Sequence, residues 1–568
     1  MAVRPPQRPR CRHWPAWPLL LALLAGIACS TPVGVRRVSE RDVHRTLTAN
    51  VLSTGRLSVA SRQVLLRLGL SERYDTEPAT ALATLHDWTR AEMTADRLFA
   101  LAELSFHHAE RAGERAYFVH TAIYAYAFLF PGADDPSPHP FDPRVRTAVD
   151  LYNRALTAAL VDDEGKVALT DGAFPLPIGT LELAVDPAGF RWADRRLDHL
   201  VPAAELEVRG LRNRYRRPGI GAPFAADALP VKDSTVAIHA ARLPQNVKVP
   251  VTAFLRLRDV RRSLREGHFF AVLELYSASD RPSIEVNGRT VPLEYETSAS
   301  LAYGLEDERI WAFEMLGYLG ADDVQLEEGL VMVEPYRPGR IPLVLVHGTA
   351  STPARWAEML NELSADPQIR ERYQFWFFVY TSGKPILISA SELRESLSQT
   401  IAILDPDGTD PALSRVVLLG HSQGGLLAKL QVIASGDRFW TNISDRPFDE
   451  VAISPKTRAV LARSLFFDPL PFVSRVIFVS TPHRGSYLAG NWLGRLAARL
   501  VRAPATLVDV SLELARLGAD LARASIDVIQ GEEDTQLQRS LARVPSSVDD
   551  MDPTQPFIRI IQDIRVDP

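Results

Sequence analysis

Gly420-His421-Ser422-Gln423-Gly424 follows the apolar run Val416-Val417-Leu418-Leu419 directly and precedes the helix-forming Leu426-Leu427-Ala428-Lys429-Leu430. Four apolar residues, a glycine-flanked turn and a helical run predict a strand that bends sharply into a helix. Such a turn pushes its central side chain out above the strand, and glycine tolerates the crowding on either side because it has no Cβ. Ser422 is therefore the first candidate for a reactive side chain. Three similar apolar runs, Leu343 to Val346, Phe375 to Tyr380 and Val476 to Val479, alternate with helical stretches from Ile341 onward. Continuous rather than alternating apolar runs predict a mostly parallel sheet covered on both faces, hence an α/β fold class for this part of the chain.

At 568 residues and 46% hydrophobic, the chain can bury more than one core. Its length suggests about two to four domains. A net charge of −5, from 64 basic and 69 acidic residues, provides no global field for a polyanion, so no nucleic-acid partner is expected. The first 29 residues read as a secretion signal: Arg4, Arg8, Arg10 and Arg12, then the apolar stretch from Trp14 to Ile27, then Ala28-Cys29. Pro15 and Pro18 interrupt that stretch, which is short for a membrane span. Ala25-Gly26-Ile27-Ala28-Cys29 resembles a bacterial lipobox, which implies that Cys29 carries lipid and anchors the protein to a membrane. Gly26 departs from the leucine usual there, and an uncleaved anchor or an ordinary signal peptide stays open. Removal of Cys11 with the signal would leave no thiol for a disulfide or a cysteine-rich metal site. Ser30 after the cysteine implies, by resemblance to sorting rules, the outer membrane of the cell envelope, facing periplasm or exterior.

Residues 30–165 read as a helical domain, with the stripe Leu98, Leu101, Ala102, Leu104 and Phe106, a break at Gly113, and Tyr117, Phe118, Ile123, Tyr124 and Phe128 beyond it. A further amphipathic helix carrying Val145, Ala148, Tyr152, Ala155 and Leu156 follows Pro143. The sequence does not identify what this domain binds, and a protein partner is one expectation. His107 and His108 are neighbours on one helix and point apart, so packing or solvent exposure explains them better than metal binding. Residues 166–338 read as a small β-rich domain, with strands over Val247 to Leu257 and His268 to Tyr276 and an Asn287-Gly288 hairpin turn. Arg209, Arg212, Arg214, Arg216 and Arg217 read as a solvated or salt-bridged loop rather than a site for phosphate or lipid headgroups. Residues 339–568 form the third expected domain.

From Ile341 to about Ile561 the chain resembles a serine-dependent α/β-hydrolase of the lipase and GPI-inositol-deacylase-like group. The resemblance rests on His347-Gly348-Thr349 after the first apolar run, the 420–425 motif, and Ser480-Thr481-Pro482-His483-Arg484-Gly485-Ser486 after the last run. It implies that Ser422 is the nucleophile of an elbow built by Gly420, His421 and Gly424. The backbone N–H groups of Thr349 and Gln423 would then form an oxyanion hole, with His347, Gly348 and His483 at the rim. The family order places an acid and then a histidine after the serine, yet His483 is the one histidine downstream of Ser422. Beyond Val479 one further strand is expected, Phe557 to Ile561, so the domain reads as lacking its last strands. Three explanations stay open: truncation, ranked first; recruitment of His483 as base; or a pseudoenzyme. Asp468, Asp549, Asp550 and Asp552 read as surface or capping residues.

The expected function is hydrolysis of a lipid or other hydrophobic acyl ester, without metal or organic cofactor. The alternative is a catalytically incomplete envelope lipoprotein that binds a partner. Leu465 to Phe472 and Trp492 to about Leu521 are apolar enough for lids, although core packing is the stronger reading of both.

Overall fold

The computed structural model describes residues 33–132, 137–162, 164, 166–167, 169–231, 243, 247–278, 281–306, 328–486, 547–553, 555–564 and 566. The expected secretion signal, Cys29 and the segment from Trp492 to Leu521 lie outside them. The chain divides into two compact units, Met1–Val59 and Ala60–Pro568. In the first, Ser39 caps the helix Glu40–Thr48. A reciprocal Asn50 and Ser53 capping box then opens the short helix Val51–Thr54, which Gly55 ends at φ 66°.

In the second unit, helix α1 (Ala95–Ala112) starts at a Thr94 cap and stops at Gly113 with φ 68°, where the sequence predicts the break. Helix α2 (Arg115–Leu129) is buried almost all round, because α1 and α3 (Pro143–Leu160) both pack against it. Asp142 caps α3, and Pro143 occupies the first turn, where its missing N–H costs nothing. His107 Nδ1 lies 3.0 Å from the Tyr74 hydroxyl, and His108 packs edge-on against Tyr117, as expected of packing residues.

Strands β1 (Gly172–Leu176), β2 (Gly179–Val185), β3 (Arg191–Trp192), β4 (Arg195–Pro202), β6 (Ala222–Pro230), β7 (Lys248–Arg258) and β8 (His268–Ser277) form a sheet in the order β1-β2-β8-β7-β6-β4-β3. Its pairs are antiparallel except β2 with β8. β5 (Arg216–Arg217) pairs instead with β11 (Tyr295–Glu296), and β9 (Ser283–Val286) forms the predicted hairpin with β10 (Arg289–Pro292). Helix α3 and this sheet share a core: the Tyr152 hydroxyl donates to Leu255 O and accepts from Leu255 N, and Phe254 lies 5.8 Å from the Tyr152 ring. Asn153 donates to Gly219 O and Glu294 and accepts from Gly221 N, so each polar group buried at this junction is paired.

Three arginines of the five-residue cluster are in ion pairs and a fourth stacks on a ring. Arg214 meets Glu296 at 3.0 Å, Arg216 meets Glu294, Arg209 meets Glu207, and Arg217 stacks over Tyr295.

The second sheet holds β12 (Gly329–Met332), β13 (Ile341–Val346), β14 (Tyr373–Val379), β15 (Val416–His421) and β16 (Val473–Val479), in the order β12-β14-β13-β15-β16. β12 runs antiparallel to β14 and the other pairs are parallel, giving the mixed α/β character that the sequence predicts. Leu343, Leu345, Trp356, Leu360, Phe375, Val417 and Leu419 form one core cluster on it.

Two expectations fail here. β16 is not covered on both faces: as the last strand of the sheet among the described residues, it leaves Ile477 40% and Phe478 37% exposed. Phe557 to Ile561 is not a strand but part of helix Pro556–Asp563. Its β-branched content suggests a strand, yet Ile558, Ile561 and Ile564 are buried at helical spacing and Pro556 pre-sets the first turn. Leu465 to Phe472, weighed as a lid, has Leu465, Phe467 and Leu470 buried, with Phe467 stacked on Phe439, so it completes the core. Among the described residues no helix is long and apolar enough to cross a membrane.

Candidate functional site

β15 turns into helix α4 (Gln423–Lys429) through Ser422, whose φ of 51° and ψ of −123° lie in a sparsely populated region. Holding a non-glycine residue there costs about 1–3 kcal/mol, so the surroundings must over-determine it. They do so by close contact: a Cβ at position 420 would sit 2.5 Å from Gly424 O, and one at 424 would sit 2.3 Å from Val346 O. Only glycine lets the turn close this tightly. Ser422 N donates to Val479 O at 2.9 Å, which ties the turn to the end of β16.

Register places Val346 opposite Gly420 and Gly420 opposite Phe478, so β13, β15 and β16 end level. After each comes a strained non-glycine residue: Ala350 at φ 48°, Ser422 at 51° and Ser480 at 50°. The carboxyl ends of parallel strands are where open α/β sheets bind ligands, and strain of this kind collects at such sites.

His347-Gly348-Thr349 leaves β13 against the Ser422 turn; a Cβ at Gly348 would lie 3.0 Å from Ser422 Cβ. The Thr349 hydroxyl donates to Gln423 Oε1 at 2.6 Å, and the fully buried Gln423 donates through Nε2 to Ser382 O at 3.1 Å. The sequence places Thr349 and Gln423 side by side in role, and the structure brings them into contact.

His347 is buried, stacks on Tyr380 at 4.4 Å between ring centres, and holds its Nδ1 3.0 Å from Gly348 O. Burial pushes its pKa down to about 4, so it stays neutral at ordinary pH and braces the loop rather than moving protons. The Tyr380 hydroxyl donates to His347 O, bracing the same peptide from below.

His421 projects to solvent, edge-on to Trp356 at 6.4 Å. His483 lies edge-on to Phe478, and its pKa is lowered first by burial and then by the nearby Lys429 charge. Among the described residues no side chain hydrogen-bonds the Ser422 hydroxyl. Asp468 is exposed. Asp550 accepts from Ile386 N at 2.7 Å, at the start of helix Ile386–Leu404, so it caps a helix distant in sequence. Desolvation pushes its pKa up to about 7. Among the described residues no group of three metal-ligating side chains converges.

Sequence reasoning missed Tyr380 and Ser382. Both lie just after β14, and only the fold brings them beneath loops that start at His347 and Ser422.

No protein-family model and no curated protein matches this chain. Among solved structures, the mature form of Bacillus licheniformis lipase BlEst2 is 19% identical, over 35% of this chain and 65% of that chain, at a TM-score of 0.19. Its propeptide form is 19% identical over 34% of this chain and 33% of that chain, at 0.18. The aligned part spans less than two thirds of either lipase chain. TM-scores this low give the likeness no weight, and the functional reading rests on the site's own geometry.

Proposed function

We propose that this chain is a serine-dependent ester hydrolase acting on a hydrophobic acyl ester, with Ser422 as nucleophile. The observation that carries the reading is the strained Ser422 turn, closed by Gly420 and Gly424 against the Gly348-Thr349 loop. Ser422 Oγ adds to the acyl carbonyl carbon and gives its proton to a base, and the carbonyl oxygen takes the negative charge. The Thr349 and Gln423 N–H groups stabilise that oxyanion; collapse expels the alcohol, which takes a proton, and water repeats the cycle on the acyl-enzyme. No cofactor enters these steps. His483 is the histidine to test as base. Lipidation at Cys29 and anchorage in the cell envelope belong to the same proposal and would place the site near lipid substrates. A protein partner for the helices completes it.

One observation favours a second reading, a catalytically incomplete binding protein: among the described residues nothing bonds the Ser422 hydroxyl. Fluorophosphonate labelling followed by intact mass decides between them. A single adduct that disappears in Ser422→Ala supports the hydrolase; no adduct on the folded protein supports the binding protein.

A further inference from the structure

Ser382 sits 3% exposed in the loop after β14 and touches both halves of the proposed oxyanion site. Its hydroxyl accepts from Ala350 N at 3.0 Å, and its carbonyl accepts from Gln423 Nε2 at 3.1 Å. The Thr349 to Gln423 side-chain bond closes the ring. Four residues from the ends of three adjacent strands therefore hold one another: Thr349 and Ala350 after β13, Ser382 after β14 and Gln423 after β15.

The loop that carries Ser382 is itself fixed from both flanks. Ser547 Oγ donates to Ser382 O and Ser547 N to Gly383 O, while Asp550 accepts from Ile386 N. On the other side, Thr381 N donates to Glu328, and Lys384 Nζ reaches Glu392 at 2.9 Å. A rigid anchor meets a strained peptide: Ala350 has φ 48°, a conformation an alanine leaves unless something holds it. The bond from Ala350 N to Ser382 Oγ is that hold, and it fixes the peptide that follows Thr349.

We propose that Ser382 is a positioning residue for the oxyanion-stabilising amides: its hydroxyl holds the Thr349-Ala350 peptide and, across Thr349, orients the preceding Gly348-Thr349 peptide so that Thr349 N–H points at the reacting carbonyl oxygen. It touches no reacting atom and acts through Ala350 and Gln423. The inference rests on the hydrolase reading above. An amide that must meet charge developing only in the transition state loses its effect when it swings away, while ground-state binding is unaffected.

The test measures the fluorophosphonate labelling rate, kcat and KM on a short-chain p-nitrophenyl ester, and melting temperature, for wild type, Ser382→Ala, Ser382→Thr, Ala350→Gly and Ser382→Ala/Ala350→Gly. Ser382→Ala is expected to lower kcat and labelling rate on the order of 10- to 100-fold with KM unchanged. Ser382→Thr restores most of the rate, because the hydroxyl returns. The double variant recovers part of it, since glycine adopts positive φ without being held. Should Ser382→Ala not fold, Ser382→Cys, with a weaker acceptor of similar shape, is expected to show the same loss in kcat. A labelled wild type with unchanged rates in the alanine or cysteine variant, or a loss confined to KM, overturns the role of Ser382 alone. A folded wild type that takes no label overturns the hydrolase reading and this inference together.

Discussion

The regions around the two larger sheets of the Ala60–Pro568 unit use strained backbone in opposite ways. In the β1–β11 region, positive φ occurs at Ala193 between β3 and β4, His199 at a bulge in β4, Asp259 before a short helix and Asn287 in the β9–β10 hairpin turn. These positions are scattered, because antiparallel strands end alternately at both edges of a sheet. In β13–β16 the strained residues Ala350, Ser422 and Ser480 gather at one edge, where parallel strands all finish. Strain that reverses the chain in one sheet converges in the other on a single half-buried hydroxyl.

The sharpest way to break that contrast is Ser422→Ala. Loss of a nucleophile removes on the order of 10⁴- to 10⁶-fold in rate, so ester turnover and labelling should vanish while the melting temperature stays put, because alanine keeps the Cβ. Retained labelling would move the reactive group elsewhere.

Next come two glycines with similar steric constraints and different surroundings. A Cβ at Gly424 would sit 2.3 Å from Val346 O, and one at Gly219 2.3 Å from Leu293 C. Both Gly→Ala changes should destabilise by about 1–3 kcal/mol, as overpacking does. Gly424→Ala should also slow labelling of the folded protein, whereas Gly219→Ala should leave that rate unchanged. Equal effects on labelling would erase the distinction between the sheets.

The regions should also answer pH with opposite signs. His120, 2% exposed among Tyr117 and Tyr124, has its pKa lowered to about 3 by burial, and burial lowers His86, His107 and His108 too. Below the unfolded value of 6.5 the unfolded chain binds more protons than the native one. Stability from this group is therefore complete above pH 6.5 and lost as pH falls toward 3, by about 1.4 kcal/mol per pH unit well below 6.5. Asp550 behaves inversely: with its pKa raised from 3.8 to about 7, the native state holds the extra proton, so its contribution is complete below pH 3.8 and lost as pH rises through 7. In denaturation curves between pH 4 and 8, His120→Phe should flatten the acid limb and Asp550→Asn the limb toward neutrality. A parallel shift of the whole curve in either variant would contradict the assignment.

The smallest effect is expected at Arg209, whose pair with Glu207 leaves both side chains largely in water. Arg209→Ala should leave melting and labelling unchanged; weakened binding to anionic vesicles would revive a headgroup site on the arginine cluster.

The strand-turn-helix at 416–429, the four strands of the parallel set, the Gly113 and Asp142-Pro143 helix boundaries and the Asn287-Gly288 turn were legible from the chain alone. Each follows from short-range causes: periodicity, caps, and the φ values that glycine, asparagine and proline allow. Ser422 as candidate nucleophile belongs with them, since its setting is written within about a dozen residues. Tertiary structure decided the rest. Glu294 and Glu296, roughly eighty residues from the arginines they pair, turned the basic cluster into a salt-bridged junction. Burial of Ile558 and Ile561 made a helix of a segment rich in β-branched residues. Ser382 acquired its place only because three strands end level at one edge. Local sterics depend on neighbours in sequence, whereas burial, ion pairing and the ring around Ser382 depend on which distant segments the fold brings together.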